Sequence, residues 1–213
     1  MTLEIQINGS DFVLHCSGAM YWVEKRMLLI SDAHLGKISH FRKYGSALPD
    51  GAIYKNFTKL DEVVAYFEPE NICFLGDLFH STLNNEWNLF KNWVERTALP
   101  IVLIAGNHDI IAPKKYHDIN IIIVSEWVTN GFLLTHHPEK REGYFTLCGH
   151  IHPAIKLHGL GRQVVKLPCF FETANQMILP AFGEFTGTYV MEPQPGDAAY
   201  AILKDLVMQV EIA

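Results

Sequence analysis

Disulfide and structural-zinc frameworks are missing from this sequence. Its four cysteines, Cys16, Cys73, Cys148 and Cys169, form no C-x-x-C pair, and three sit in or beside apolar runs. They read as buried free thiols in a reducing compartment. Excess positive charge is missing as well: 17 Lys and Arg face 23 Asp and Glu, a net charge of -6 with His neutral. A protein that grips nucleic acid through a broadly basic surface would be composed differently, although a metal site can supply positive charge locally. No apolar run approaches the roughly 20 residues needed to span a bilayer, so no membrane partner is expected. The opening MTLEIQINGS has neither the basic stretch nor the apolar core of a secretory leader, and a cytoplasmic protein is expected. Repeats, low-complexity tracts and linkers are absent, and residues 1–213 are expected to form one domain.

What is present is a series of short apolar runs. RMLLIS (26–31), NICFLG (71–76), PIVLIAG (100–106), INIIIV (119–124), GFLLTH (131–136) and YFTLCGH (144–150) read as strands covered on both faces. A helical stripe begins at Ile53 and continues through Phe57, Leu60, Val63, Val64 and Phe67. A second, over 84–97, carries Trp87, Phe90, Trp93 and Val94. The first half therefore alternates strand and helix, an α/β pattern. The second half turns strand-rich, with RQVVKLP, NQMILPAF, AAYAILKD and LVMQVEIA, which fits a mixed or sandwiched sheet better than a purely doubly wound one. EPQPGD (192–197) reads as the turn before a last hairpin.

The ends of these runs are unusual. They close, in order, on Asp32-Ala-His34, Gly76-Asp77-Leu-Phe-His80, Gly106-Asn107-His108-Asp109, His136-His137-Pro138 and Gly149-His150-Ile-His152. In α/β sheets the carboxyl ends of strands form the crevice where ligands bind. On extended backbone, side chains two apart share a face, so Asp32 and His34, or His150 and His152, are expected to face one centre. Any one of these pieces alone could be ordinary capping or turn chemistry. Five in order, each directly after a strand, point to a site. Carboxylate, amide and imidazole donors without thiolate suit Mn, Fe or Zn. A pair of ions needs a bridging group, and Asp77 is the candidate. His80 is expected to stand behind the ligands or at the surface. His15, His40, His117 and His158 lie outside the motifs.

D-x-H, G-D, G-N-H-D, His and G-H-x-H, spanning Asp32 to His152, together resemble the calcineurin-like metallophosphoesterases. SDAHLGKISHFRKYGSALPDG (31–51), GDLFHS (76–81) and LPAFGEFTG (179–187) further resemble the members encoded beside an ATP-dependent DNA ligase, which are assigned as DNA-damage-response endonucleases or phosphodiesterases. The resemblance implies an α/β (α+β) fold, a two-sheet β-sandwich flanked by helices, and two divalent cations, Mn foremost with Fe, Zn or Ni as alternatives. It implies Asp32, His34, Asp77 and His152 at one cation, and Asp77, Asn107, His136 and His150 at the other. His136 is preferred over His137 because it follows its strand immediately; His137 then lies near the substrate. His108 would face the scissile phosphate with Asp109 orienting it. Many members carry an acidic residue where His80 stands.

Lys37, Arg42 and Lys43, in a loop with Phe41, are candidates to grip flanking phosphates while the ring stacks on a base. The expected activity is phosphodiester hydrolysis in DNA, with a DNA ligase or helicase as functional partner and a homodimer compatible with the chain. Two alternatives remain: hydrolysis of a small or lipid-linked monoester or phosphoanhydride, and a non-catalytic interaction module.

Overall fold

A computed structural model describes residues 1–37, 51–159, 161 and 163–211. Two mixed sheets with flanking helices form an α/β architecture. The first sheet has the order β1 (Thr2–Ile7), β2 (Ser10–His15), β3 (Met20–Trp22), β4 (Met27–Ile30), β5 (Asn71–Phe74), β6 (Ile101–Ile104) and β7 (Ile121–Val124). β1 to β4 pair antiparallel, and β4 to β7 pair parallel. Parallel neighbours need long crossovers. α1 (Ala52–Phe67), α2 (Glu86–Thr97) and α3 (Pro113–His117) fall within these connections.

The second sheet is built from β8 (Trp127–Thr129), β9 (Phe132–Leu134), β10 (Phe145–Cys148), β11 (Pro153–His158), β12 (Val164–Thr173), β13 (Gln176–Ile178), β14 (Tyr189–Val190), β15 (Ala198–Ile202) and β16 (Val207–Val210). Its order is β14-β11-β12-β13-β10-β9-β8, with β15 pairing β12 and β16.

Alternate residues of the apolar runs enter different cores. Leu28, Ile30, Ile72, Phe74, Ile101 and Leu103 turn toward Phe57, Leu60, Val63, Phe90 and Trp93 of the helices. Leu29, Cys73 and Ile104 turn the other way, toward Phe132, Leu134, Leu147, Phe170 and Met177 of the second sheet. Both faces of the sheet at β4 to β6 are thus covered, which is why those strands lack polar alternation. A third cluster around Ile155, Cys169, Phe171 and Ala199 lies on the far side of the second sheet and contains no helical residue among those described.

The six expected early strands all form, each somewhat shorter than its apolar run. The β1–β3 meander, α3, β8, β11 and β14 were not among the expected elements, although TLEIQI of β1 alternates polar and apolar residues as a half-buried strand does. β12 also continues past Pro168, where the expected segment stopped. Up to Pro168 the strand pairs with β11; from Cys169 it pairs with β15, so the missing N–H falls where partners change. Cys73, Cys148 and Cys169 are buried free thiols, and Cys16 is half-buried. No helix among the described residues is long and apolar enough to cross a membrane.

Candidate metal centre

The expectation that Asp32 and His34 converge through strand pleating is replaced by a different geometry. Both have left-handed backbones, φ 53° and 45°, as do Asp77 (50°), His150 (68°) and His152 (54°). Left-handed non-glycine residues cost of order 1–3 kcal/mol each and persist where the surroundings over-determine them. The determinants are visible. The Asp32 amide donates to Gly76 O (3.2 Å), His34 to Asp77 O (2.9 Å) and Leu35 to Leu78 O (2.8 Å), so the β4 and β5 loops run on beyond the sheet as a hydrogen-bonded pair. Gly183 and Phe182 amides donate to Asp32 O and Ser31 O from the other sheet (3.0 and 2.9 Å). A Cβ at Gly76, itself at φ +87°, would collide with the His136 ring, and one at Gly149 would collide with Ser31 Oγ and the Asp32 carboxylate.

These loops bring seven expected residues together at the ends of both sheets. Asp32, His34 and His152 offer ligand atoms within 4.8 Å of one another; so do Asp32, Asp77 and His136, and so do His136, His137 and His150. Asp77 faces both halves: its Oδ2 lies 3.9 Å from His34 Nε2 and its Oδ1 3.4 Å from His136 Nε2. Asn107 Oδ1 lies 3.1 Å from the same His136 nitrogen. His150 and His152 do not share a centre. His150 Nδ1 approaches His136 Nε2 (3.2 Å), whereas His152 Nε2 approaches Asp32 Oδ1 (3.2 Å) and His34 Nε2 (3.3 Å). The left-handed turn at each residue sends the two rings to different halves.

The hydrogen-bond partners aim the rings. His136 Nδ1–H donates to Leu75 O (2.9 Å) and His152 Nδ1–H to Gly187 O (3.1 Å), which leaves both Nε2 lone pairs directed at the cluster. Asp32 is fully buried. Its Oδ2 accepts from Ser31 Oγ and the His150 amide, while its Oδ1 has no hydrogen-bond partner among the described residues. A buried carboxylate oxygen without a donor is costly. Imidazole nitrogens facing each other at 3.2–3.3 Å likewise need a proton or a cation between them. The donor set therefore fits divalent cations on both sides of Asp77.

Protonation states agree. Burial pushes Asp77 upward, but the His136 ring and the His108 amide outweigh it and hold its carboxyl down at about 2. Burial also opposes ionisation of Asp32, and the His152 ring with Ser31 overcomes it, leaving the group below the usual carboxylate range. Burial drives His34 down to about 3 against the pull of Asp32 and Asp77. His150 is lowered, first by burial and then by His137 and His136. His136 moves the other way: burial lowers it, but Asp77 and Leu75 O raise it more. Ionised carboxylates and a neutral His34 are the forms that bind a cation.

His108 sits over the cluster, its ring centroid 5.3 Å from His34 and stacked 5.2 Å from His80. Its orientation differs from expectation. Asp109 does not hold the ring; its carboxylate accepts from the Gly106 and Phe79 amides (2.9 and 3.2 Å) and so orders the turn. The His108 ring instead donates from Nδ1 to His80 O (3.1 Å), and its amide donates to Asp77 Oδ1 (2.8 Å). His80 thus borders the site through both ring and carbonyl. Its only signal in the sequence is a polar residue three positions after Asp77, beyond the apolar Leu78 and Phe79. His137 is exposed at the rim, 4.2 Å from His150 between ring centroids. Lys37 is half-buried, and burial lowers its pKa; its amide donates to His34 O (3.2 Å). Arg42, with Phe41 and Lys43, lies outside the described residues.

The family model for calcineurin-like phosphoesterases matches residues 25–175. The Pseudomonas putida nuclease MPE, a crystal structure, is similar at 31% identity over 99% of this chain and 100% of that one, with a TM-score of 0.84. A protein of unknown function from Aquifex aeolicus, AQ665, is similar at 20% identity over 59% of this chain and 78% of that one, with a TM-score of 0.43. A search of curated proteins gave no match.

Proposed function

The chain belongs to the calcineurin-like phosphoesterase family and is a hydrolase of phosphoester bonds, and from that premise we propose a two-cation phosphodiesterase acting on nucleic acid. The observation that carries the pairing is Asp77, buried, with one oxygen toward His34 and the other toward His136. Asp32, His34, Asp77 and His152 would hold one cation, and Asp77, Asn107, His136 and His150 the other; manganese is the proposed metal for this oxygen and nitrogen set. Two divalent cations there supply Lewis acidity, acidifying a water and drawing charge from the phosphate oxygens.

The remaining chemistry falls to side chains. With Nδ1–H tied to His80 O, His108 presents Nε2 to the substrate, and the protonated ring would donate from that nitrogen to a phosphoryl or leaving-group oxygen. Asp109 acts on that step by ordering the 106–109 turn, not by touching the ring. His137 at the rim and Lys37 beside His34 are placed to bind substrate phosphates. Nucleic acid as substrate is supported by likeness over the full chain to a protein described as a nuclease. The 31–51 and 179–187 segments support a ligase-linked repair setting, with residues 1–213 working as one domain.

The test uses purified protein with manganese on a model phosphodiester, a model monoester, and single- and double-stranded DNA. Diester turnover with DNA cleavage is expected. Monoester turnover without diester turnover would overturn the reading.

A further inference from the structure

β11 begins at Pro153, directly after His152, and returns as β12, so this hairpin is anchored on one half of the metal cluster. Its register places Ala154 opposite Pro168 and Lys156 opposite Lys166. Residues two apart on a strand share a face, so both pairs lie on one side. Ala154 is buried at the base, whereas Lys156 and Lys166 are exposed further out. Pro168 opens into a hollow of about 190 Å³ that Phe185, Thr186 and Thr188 also line. Gly187, between those threonines, is the residue whose carbonyl fixes the His152 ring.

Two ammonium groups directly opposite on one sheet face repel each other, with Cβ atoms about 5 Å apart. A carboxylate across from a lysine would instead be stabilising. Here no carboxylate among the described residues pairs with either one. The arrangement runs against a chain whose net charge is -6. It becomes favourable once an anion lies between the two lysines. The distance points to which anion: four residues of strand from His152 to Lys156 span about 13 Å. That length corresponds to about four nucleotides of a stacked strand at roughly 3.4 Å each. Phe185, 45% exposed beside the hollow, offers a ring face along the way.

We propose that the Lys156–Lys166 pair is a phosphate-binding site that holds the substrate strand about four nucleotides from the scissile bond. The proposal rests on the nucleic-acid reading above and sharpens it: the enzyme would measure out several nucleotides and not one diester. Neither lysine touches the metal cluster, so a small diester should not sense them.

The experiment compares the manganese-loaded parent with a Lys156→Gln/Lys166→Gln double variant on a model diester, a dinucleotide and a single-stranded 12-mer, across a salt series. For two lost contacts at about 0.7 each, the salt slope of log kcat/KM on the 12-mer should fall by about 1.4, equivalent to roughly 25-fold at 0.1 M salt. Model diester and dinucleotide kinetics should stay unchanged. A Lys166→Glu variant separates binding from folding: it should raise the 12-mer KM while Tm holds or rises, because Lys156 gains an ion pair. Equal 12-mer kinetics and salt slopes in parent and double variant would overturn this site alone. A parent that turns over the model diester but leaves the 12-mer intact would overturn the nucleic-acid reading and this site with it.

Discussion

The two sheets contribute different chemistry to one site. The first sheet delivers both carboxylates, the amide, His34 and His108 from the loops after its parallel strands; the second delivers only imidazoles, His136, His137, His150 and His152. Their loops are secured differently. Asp32 and Asp77 ride on loops joined backbone to backbone, which continue the β4–β5 pairing. The second sheet's loops are joined to the first through polar contacts across the gap: His136 to Leu75 O, the His150 amide to Asp32 Oδ2, and the Phe182 and Gly183 amides to Ser31 and Asp32 carbonyls. The acids and His34 are thus set by one sheet, and His136 and His150 are positioned by docking onto it. Damage on the first side should remove the centre, and damage on the second should misalign it.

Asp77→Ala gives the sharpest test of that asymmetry. It removes the carboxylate that faces both halves, so both cations should be lost and turnover should fall well beyond the roughly 10–100-fold that loss of an outer partner costs. Metal analysis of the purified variant alongside model-diester turnover measures it. Two retained ions would end the bridging assignment. His108→Ala should cost roughly 10²–10⁴-fold in turnover while keeping the full metal content, since the ring donates a proton and holds no ion. Asp109→Asn should be milder than His108→Ala, because its amide oxygen can still accept from Gly106 or Phe79. Equal losses would restore Asp109 to direct contact with the imidazole.

Much of this was legible before any coordinates. Strand ends were marked by the switch from apolar run to Asp, Asn or His, and five such ends in order specified which loops meet. The parallel half was readable because continuous apolar runs alternating with helical stripes fit a sheet covered on both faces. What could not be read is local backbone. D-x-H suggests a pleat with both side chains on one face; the structure uses left-handed turns at Asp32 and His34, and sequence does not announce left-handed non-glycine residues. The same turns separate His150 from His152. Asp109 was misjudged for a related reason: an acid next to a histidine looks like its partner, but the turn carries the carboxylate away toward two amides. His80 lies behind the His108 ring, and its link to that ring is a backbone carbonyl that no side-chain pattern encodes.

Gly76→Ala probes the docking between the sheets. The new Cβ meets the His136 ring, and the left-handed backbone adds strain. A stability loss of about 1–3 kcal/mol is expected. The metal lost first should be the one assigned to His136, and calorimetry with metal titration would show it. Loss of stability with both affinities unchanged would mean that the interface tolerates a shifted ring.

The smallest effect concerns the metal-free protein and its pH dependence. His34 has its pKa pushed to about 3 by burial, below the ordinary histidine value of 6.5. Between these values the unfolded chain binds a proton that the folded protein refuses, so folding stability must fall as pH drops through that window. Asp77, depressed to about 2 from 3.8, adds a further loss at the acid end. His136, raised above 6.5, opposes the trend near neutrality, because its proton favours the folded form until pH climbs past its folded value. Chelator-treated protein should therefore lose stability in urea titrations from pH 6 to pH 4, and His34→Gln should flatten that slope while leaving the response around pH 7 in place. A variant that kept the parent's slope would move the acid sensitivity to the other histidines whose pKa burial lowers, His150 of the second sheet and His15 of the first.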